Sequence, residues 1–234
     1  MFRKGLIVAL IALISLAFGF ASAYALSFST PDGAVESSGL PVDAQVTFTL
    51  GEGTISLTLQ NLQANTRSVA QNISDLFFSV SGASGAFTNY TSNADLFINV
   101  KSNGTTSDVA SGSTGWKLFQ SDSVNFHLDD LAAGAAGPRN TIIGPADGLG
   151  IYSNANDSVA GNGPHNPFIS QTATFSFFVP GVTANSVISN LLFSFGTTPG
   201  NDVDPPTNVP EPVSLLFLGA GLLGLAGLRK KFKR

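Results

Sequence analysis

Between residues 26 and 196 apolar and polar side chains alternate in short runs, and no window of ten or more residues repeats with the period of an amphipathic helix. Val46-Thr47-Phe48-Thr49-Leu50 and Ile55-Ser56-Leu57-Thr58-Leu59-Gln60 place every second residue on one face. Gly51-Glu52-Gly53 between them supplies the glycines of a tight hairpin loop. Thr174 to Val179 and Val187 to Phe195 read as a second pair around the turn residues Pro180-Gly181. Leu76 to Val80, Leu96 to Val100, Trp116 to Phe119 and Val124 to Leu128 read as further short strands. Strands with one wet and one dry face are stable only when two sheets cover one another. The expected fold class is therefore all-β, an antiparallel β-sandwich of the Ig-like or jelly-roll kind. Ile73 to Val80 is echoed by Ile188 to Phe195, with five of eight positions identical. No longer period accompanies the echo, so it reads as two strands in similar positions rather than a solenoid or propeller.

Charge and cysteine content narrow the function classes. The segment from Leu26 to Asn208 holds four basic against fourteen acidic residues, a formal charge of −10 where the whole chain carries −4. A body this acidic repels polyanions, which excludes nucleic acid as a partner and leaves cations and neutral polymers. There is no cysteine. Disulfides, thiolate metal sites and thiol nucleophiles are thereby excluded, and the core alone must hold the domain together.

Each end of the chain carries a membrane-directed segment. Met1 to Ala25 reads as a signal peptide: Arg3 and Lys4, then an apolar run from Leu6 to Phe20, then Ala21-Ser22-Ala23 and Ala23-Tyr24-Ala25, both A-x-A sites. Cleavage by signal peptidase is expected after Ala25, or two residues earlier after Ala23. Residues 26–196 then form the β-sandwich domain, and residues 197–208, rich in Gly, Pro, Thr, Asn and Asp, form a linker. Residues 209–234 have three parts in order: Val209-Pro210-Glu211-Pro212, an uninterrupted apolar run from Val213 to Leu228, and a basic tail of Arg229, Lys230, Lys231, Lys233 and Arg234. Sixteen helical residues reach about 24 Å, enough for a short transmembrane helix once the basic side chains snorkel. The positive-inside rule places both basic ends in the cytoplasm and the body across the membrane.

This tripartite C-terminus resembles the PEP-CTERM sorting signal. The resemblance implies that Pro210, Glu211 and Pro212 are the recognition motif of exosortase, a membrane-embedded cysteine protease that removes the signal as the protein passes to the cell surface. It further implies a Gram-negative producer of extracellular polysaccharide, often with biofilm or floc. The body, through stretches such as Gly53 to Asn61 and His165-Asn166-Pro167-Phe168-Ile169, is similar to exosortase-dependent surface proteins.

No catalytic constellation emerges. The two histidines, His127 and His165, have no G-x-S-x-G elbow to accompany them and are too few for a His-based zinc site. A secreted hydrolase would need one of them in a cleft beside a carboxylate and a hydroxyl. No metal site is assigned and no cofactor is required. Calcium is the cation the sequence could serve, through the hard oxygens of Asp129, Asp130, Asp147 and Asp157 in or before the long loop-like stretch from Leu131 to Ser170. Trp116, Tyr90 and Tyr152 are the aromatic candidates for stacking against a sugar. The sequence thus leads to a non-enzymatic protein, transiently in the inner membrane and then at the cell surface or outside it. Its expected role is structural or interactive, with extracellular polysaccharide as the possible partner. A carbohydrate-binding module is the first alternative and a secreted hydrolase the second.

Overall fold

The computed structural model describes residues 25–198, Val203, and the backbone of Thr207–Val209. The signal segment up to Tyr24, Pro210 to Pro212, the apolar run and the basic tail lie outside the described residues, and with them the two expected helices. Among the described residues no helix is long and apolar enough to cross a membrane; a single 3-10 turn covers Val69–Gln71.

Everything else that is regular is strand: β1 Ala25–Ser29, β2 Ala44–Leu50, β3 Thr54–Asn61, β4 Ile73–Val80, β5 Thr88–Ala94, β6 Phe97–Val100, β7 Thr106–Asp108, β8 Lys117–Gln120, β9 Asn125–Asp129, β10 Ile142–Ile143, β11 Phe168–Ser170, β12 Thr172–Phe178, β13 Ile188–Phe195 and β14 Thr207–Val209. A six-stranded sheet runs β14-β1-β2-β3-β12-β5. An eight-stranded sheet runs β7-β6-β11-β10-β4-β9-β8, with β13 paired to β4. The expected all-β class is observed. The sheets are not purely antiparallel, because β10 and β11 pair in parallel.

Alternation decides which side chains meet between the sheets. Val46, Phe48 and Leu50 of β2 and Ile55, Leu57 and Leu59 of β3 are buried. They face Leu76, Phe78 and Val80 of β4 and Phe126 and Leu128 of β9 across one continuous core. Phe78 is the hinge of that contact: its ring lies 5.0 Å from Phe48, 5.6 Å from Phe126 and 6.5 Å from Phe177. The opposite phase of the smaller sheet carries hydroxyls and amides without a formal charge in its central rows. Thr47, Thr58, Thr174 and Asn93 are cross-strand neighbours, as are Thr49, Ser56, Ser176 and Thr91.

The hairpin read from Gly51-Glu52-Gly53 joins β2 to β3 in register Leu50↔Ile55. Gly53 has φ +69°, and a Cβ there would stand 2.1 Å from the Phe178 ring. Gly53→Ala is expected to cost about 1 kcal/mol or more, from the left-handed backbone and the displaced ring together; urea midpoints of the two proteins check this.

The reading of Thr174–Val179 and Val187–Phe195 as partners is corrected. β12 joins the smaller sheet between β3 and β5, while β13 crosses to the larger sheet and pairs with β4. Val179 and Val182, both buried, anchor the Pro180-Gly181 turn into the core, so the chain changes sheets there instead of folding back. The echo of Ile73–Val80 by Ile188–Phe195 gains a physical meaning, since these two strands are antiparallel neighbours, Leu76 opposite Phe193 and Ser79 opposite Ser189. The long stretch from Leu131 to Ser170 contains β10 and β11. It also supplies Ile143, Tyr152, Val159 and Phe168 to a second small core with Val69, Ile98 and Val100.

Candidate functional site

The outward phase of the larger sheet brings the chemistry-bearing side chains together. Phe126 and Leu128 point into the core, so His127 and Asp129 of the same strand point away from it. The register then sets Phe77 beside His127 and Phe119 on its far side, and Asp75 beside Asp129 with Lys117 beyond. Leu192 of β13 extends the aromatic row next to Phe77. Phe77 and Phe119 are 37% and 44% exposed, unusual for aromatic side chains on the wet phase of a sheet.

His127 is held on three sides. Its Nε2 pairs with Asp75 Oδ1 and stands 3.9 Å from Asp129 Oδ2. Its ring stacks on Phe77 at 3.6 Å and 13°, and Phe119 lies 6.1 Å away. Asp75, His127 and Asp129 are the one group of metal-ligating side chains among the described residues whose ligand atoms all lie within 4.8 Å of one another. One imidazole with two carboxylates is a donor set for a divalent cation, and equally a charge-assisted clamp on the imidazole. The described partners of His127 are carboxylates and rings, without the hydroxyl that a Ser–His pair requires. His165 sits in its loop with Nδ1–H donating to the Ser158 carbonyl at 2.6 Å.

The four aspartates considered for calcium do not converge. Asp129 Oδ1 accepts from the backbone N–H groups of Leu131 and Ala132 at 2.7 and 3.0 Å, capping the turn after β9. Asp147 closes its own loop, accepting from Ser153 Oγ at 2.6 Å and from the N–H groups of Leu149 and Ile151. The Ser153 bond, with the backbone donors, holds its carboxyl below the usual range. Asp157 lies in the loop that His165 closes, where its carbonyl accepts from Asn162 Nδ2. Asp130 is fully buried, and neither of its carboxylate oxygens has a hydrogen-bond partner among the described residues. Burial pushes its carboxyl up to about 8, with the negative charges of Asp129 and Asp75 adding to the shift. Its backbone N–H donates to the Ser74 carbonyl, and Ser74 Oγ and Asn72 Oδ1 are likewise buried and unpaired. A seam of uncompensated oxygen therefore runs along the inner side of this sheet.

The aromatic residues chosen for sugar stacking are core residues. Trp116 and Tyr152 are 2% and 3% exposed. Trp116 Nε1–H donates to the Asn140 carbonyl and Tyr152 O–H to the Gly144 carbonyl, while half-buried Tyr90 donates its O–H to the Trp116 carbonyl. Their polar tips are used inside the domain, so no stacking platform forms from these three. The exposed rings of the larger sheet are Phe77 and Phe119, and Phe178 of the smaller sheet is exposed as well. The signal available for them was phase: Leu76-Phe77-Phe78 is apolar on both faces of a strand whose neighbours leave one face to water.

At the edge of the smaller sheet, β14 pairs antiparallel with β1, Ser27 opposite Val209 and Ser29 opposite Thr207. Val209, the first residue of the Val-Pro-Glu-Pro run, is thus the last described residue of the sheet. Ala25, at the expected signal cleavage point, is the first residue of the strand beside it. Part of the segment read as a linker is therefore strand. From residue 208 to residue 231 the sequence matches the PEP-CTERM protein-sorting motif. The chain carries a PEP-CTERM sorting signal. No curated protein and no solved structure matches it. The PEP-CTERM motif implies processing by exosortase and export through the membrane to the cell surface. The motif and the last described strand overlap at Asn208 and Val209.

Proposed function

We propose that this protein is a non-enzymatic component of the extracellular matrix of its producer, delivered by its PEP-CTERM signal and trimmed at both ends. Signal peptidase would act at Ala25 or Ala23 and exosortase at Pro210 to Pro212. The mature β-sandwich would then contribute structure or an interaction to extracellular polysaccharide and biofilm. One observation carries this reading: the sorting motif begins within β14, at Asn208, and the partner strand β1 begins at the expected signal cleavage point. A cut after Ala23 together with one at Pro210 to Pro212 would leave all fourteen described strands whole, and a cut after Ala25 would remove only the first residue of β1. The acidity of the body supports a neutral rather than polyanionic matrix.

The test is the mass and terminal sequence of the protein recovered outside the cells. An N-terminus at Leu26 or Tyr24 and a C-terminus between Pro210 and Pro212 are expected. Replacing Pro210, Glu211 and Pro212 together by Ala is expected to cut the released protein at least tenfold and leave the full-length form in the membrane fraction. An external protein that still ends at Arg234 would overturn the processing scheme.

A carbohydrate-binding module is a second reading, favoured by the exposed aromatic row on the larger sheet rather than by the aromatic residues first considered.

A further inference from the structure

β13 does not run evenly along β4. Ser189 pairs with Ser79 and Leu192 with Phe77, so two residues of β13 stand against the single residue Phe78. Leu191 turns into the core, and Asn190 is pushed outward with φ +49°. A bulge re-aims a side chain, and a left-handed non-glycine residue is a small strain that the surrounding structure must support. Both occur at one point, beside the exposed ring of Phe77.

A groove of about 350 Å³ opens there on the outer face of the larger sheet, bordered by Phe77, Leu192, Ser79, Ser121, Asn125 and Asn190. His127 stacks on Phe77 yet does not line the groove, so the imidazole fixes the Phe77 ring from behind and leaves the ring's other side as an apolar wall. The opposite rim is a hydrogen-bonded relay across three strands. Asn190 Nδ2–H donates to Ser79 Oγ at 3.2 Å, Ser79 Oγ–H donates to Asn125 Oδ1, and Asn125 Nδ2–H donates to Asp122 Oδ2 at 2.7 Å. No charged side chain lines the groove itself; Asp122 stands behind Asn125 at the end of the relay, and the acidic pair Asp75 and Asp129 lies beyond the aromatic row.

From this geometry we infer that the groove is a binding subsite for one pyranose unit of a neutral polysaccharide. Such a ring has an apolar C–H face and a rim of hydroxyls, and the groove offers one aromatic wall and a preformed rim of amides and hydroxyls. Pre-organisation matters because the relay and the stacked imidazole lower the ordering cost of binding. The net negative body and the absence of a basic side chain in the groove select against uronic-acid or sulfated chains. The inference rests on the matrix-interaction reading above, to which it adds the ligand class and the site.

The test is affinity electrophoresis of the purified protein, whatever its processed ends, in native gels containing hydroxyethylcellulose, galactomannan, xyloglucan or dextran, with alginate as the polyanion. Retardation by at least one neutral polymer and none by alginate is expected. Phe77→Ser removes the wall, and Asn190→Gly removes the amide while suiting the left-handed backbone. Each is expected to weaken retardation at least tenfold, and Asn190→Gly to do so without lowering the melting temperature. Free migration of the wild type in all four neutral polymers would overturn the subsite. So would equal retardation in alginate, or retardation that survives Asn190→Gly. Binding lost instead with Thr174→Lys, on the outer face of the smaller sheet, would also overturn it. None of these outcomes bears on the terminal sequences, so failure of the subsite and failure of the sorting scheme are separable.

Discussion

Asp130→Asn is expected to stabilise the domain at pH 8 by up to about 5 kcal/mol and to change it little at pH 4. Asp130 is 0% exposed, and its carboxylate oxygens have no partner among the described residues. In the unfolded chain its carboxyl titrates near 3.8, whereas burial and the neighbouring Asp129 and Asp75 push it up to about 8 in the fold. Between those two values the folded state keeps a proton that the unfolded state has released. Wild-type stability therefore falls as pH rises from about 4 to about 8 and levels off above that. The figure of about 5 kcal/mol is a ceiling, since any water that reaches the carboxylate reduces the penalty. Asparagine has the same shape, cannot ionise, and brings donors to a seam where Ser74 Oγ and Asn72 Oδ1 have no partner among the described residues. Urea midpoints at pH 4.5, 6 and 8 for both proteins measure the effect. A wild-type midpoint independent of pH across that range would show that Asp130 is solvated in the fold.

The second large effect comes from two adjacent residues that face opposite ways. Phe78→Ala is expected to cost about 3–5 kcal/mol, because the cavity it leaves touches Phe48, Phe126 and Phe177 and so loosens both sheets at once. For a domain of this size that is a fall in melting temperature of roughly 10 °C. Phe77→Ala, one position earlier, is expected to stay within about 1 kcal/mol of wild type, because its ring is 37% exposed and its contacts are on the outer face. Thermal melts of the two variants side by side read the phase of β4 directly. With no cysteine in the chain, no disulfide would mask the Phe78 loss.

Much of the sheet structure was legible because alternation is a local property. Val46 to Gln60 announces two strands, a hairpin and the buried face without reference to anything distant. Pairing is not local. Pro180-Gly181 looks the same whether the chain folds back or changes sheets, and only the burial of Val179 and Val182 decides it. β10 and β11, two and three residues long, carry no readable period and exist because β4 and β6 offer them partners. β14 sits within a Pro- and Asn-rich stretch with no alternation, and its strand character comes from the open edge of β1.

The site was less legible than the fold for the same reason. His127 and Asp129 stood out as residue types, and the strand Val124 to Leu128 was visible, but nothing local says that Asp75 lies beside them. Asn190 was unremarkable until the bulge turned it outward. Trp116 and Tyr152 attracted attention by their rarity, which carries no information about which face they take. The sorting motif was readable in full because it is a linear signal, recognised by sequence and not by the company its residues keep in a fold.

The pairing of β1 with β14 has a mechanical side. The two strands are antiparallel, with Ala25 near one end of the ladder and Val209 at that same end. Were both chain ends held by the membrane before cleavage, tension between them would load this pair like a zipper, one hydrogen-bonded rung at a time, and not in shear across all rungs together. The end rung of the described ladder is the one that carries Val209. A pull of that kind would peel the first residue of the sorting motif from the sheet before it disturbed the core, handing the protease an extended chain and leaving the sandwich behind it closed.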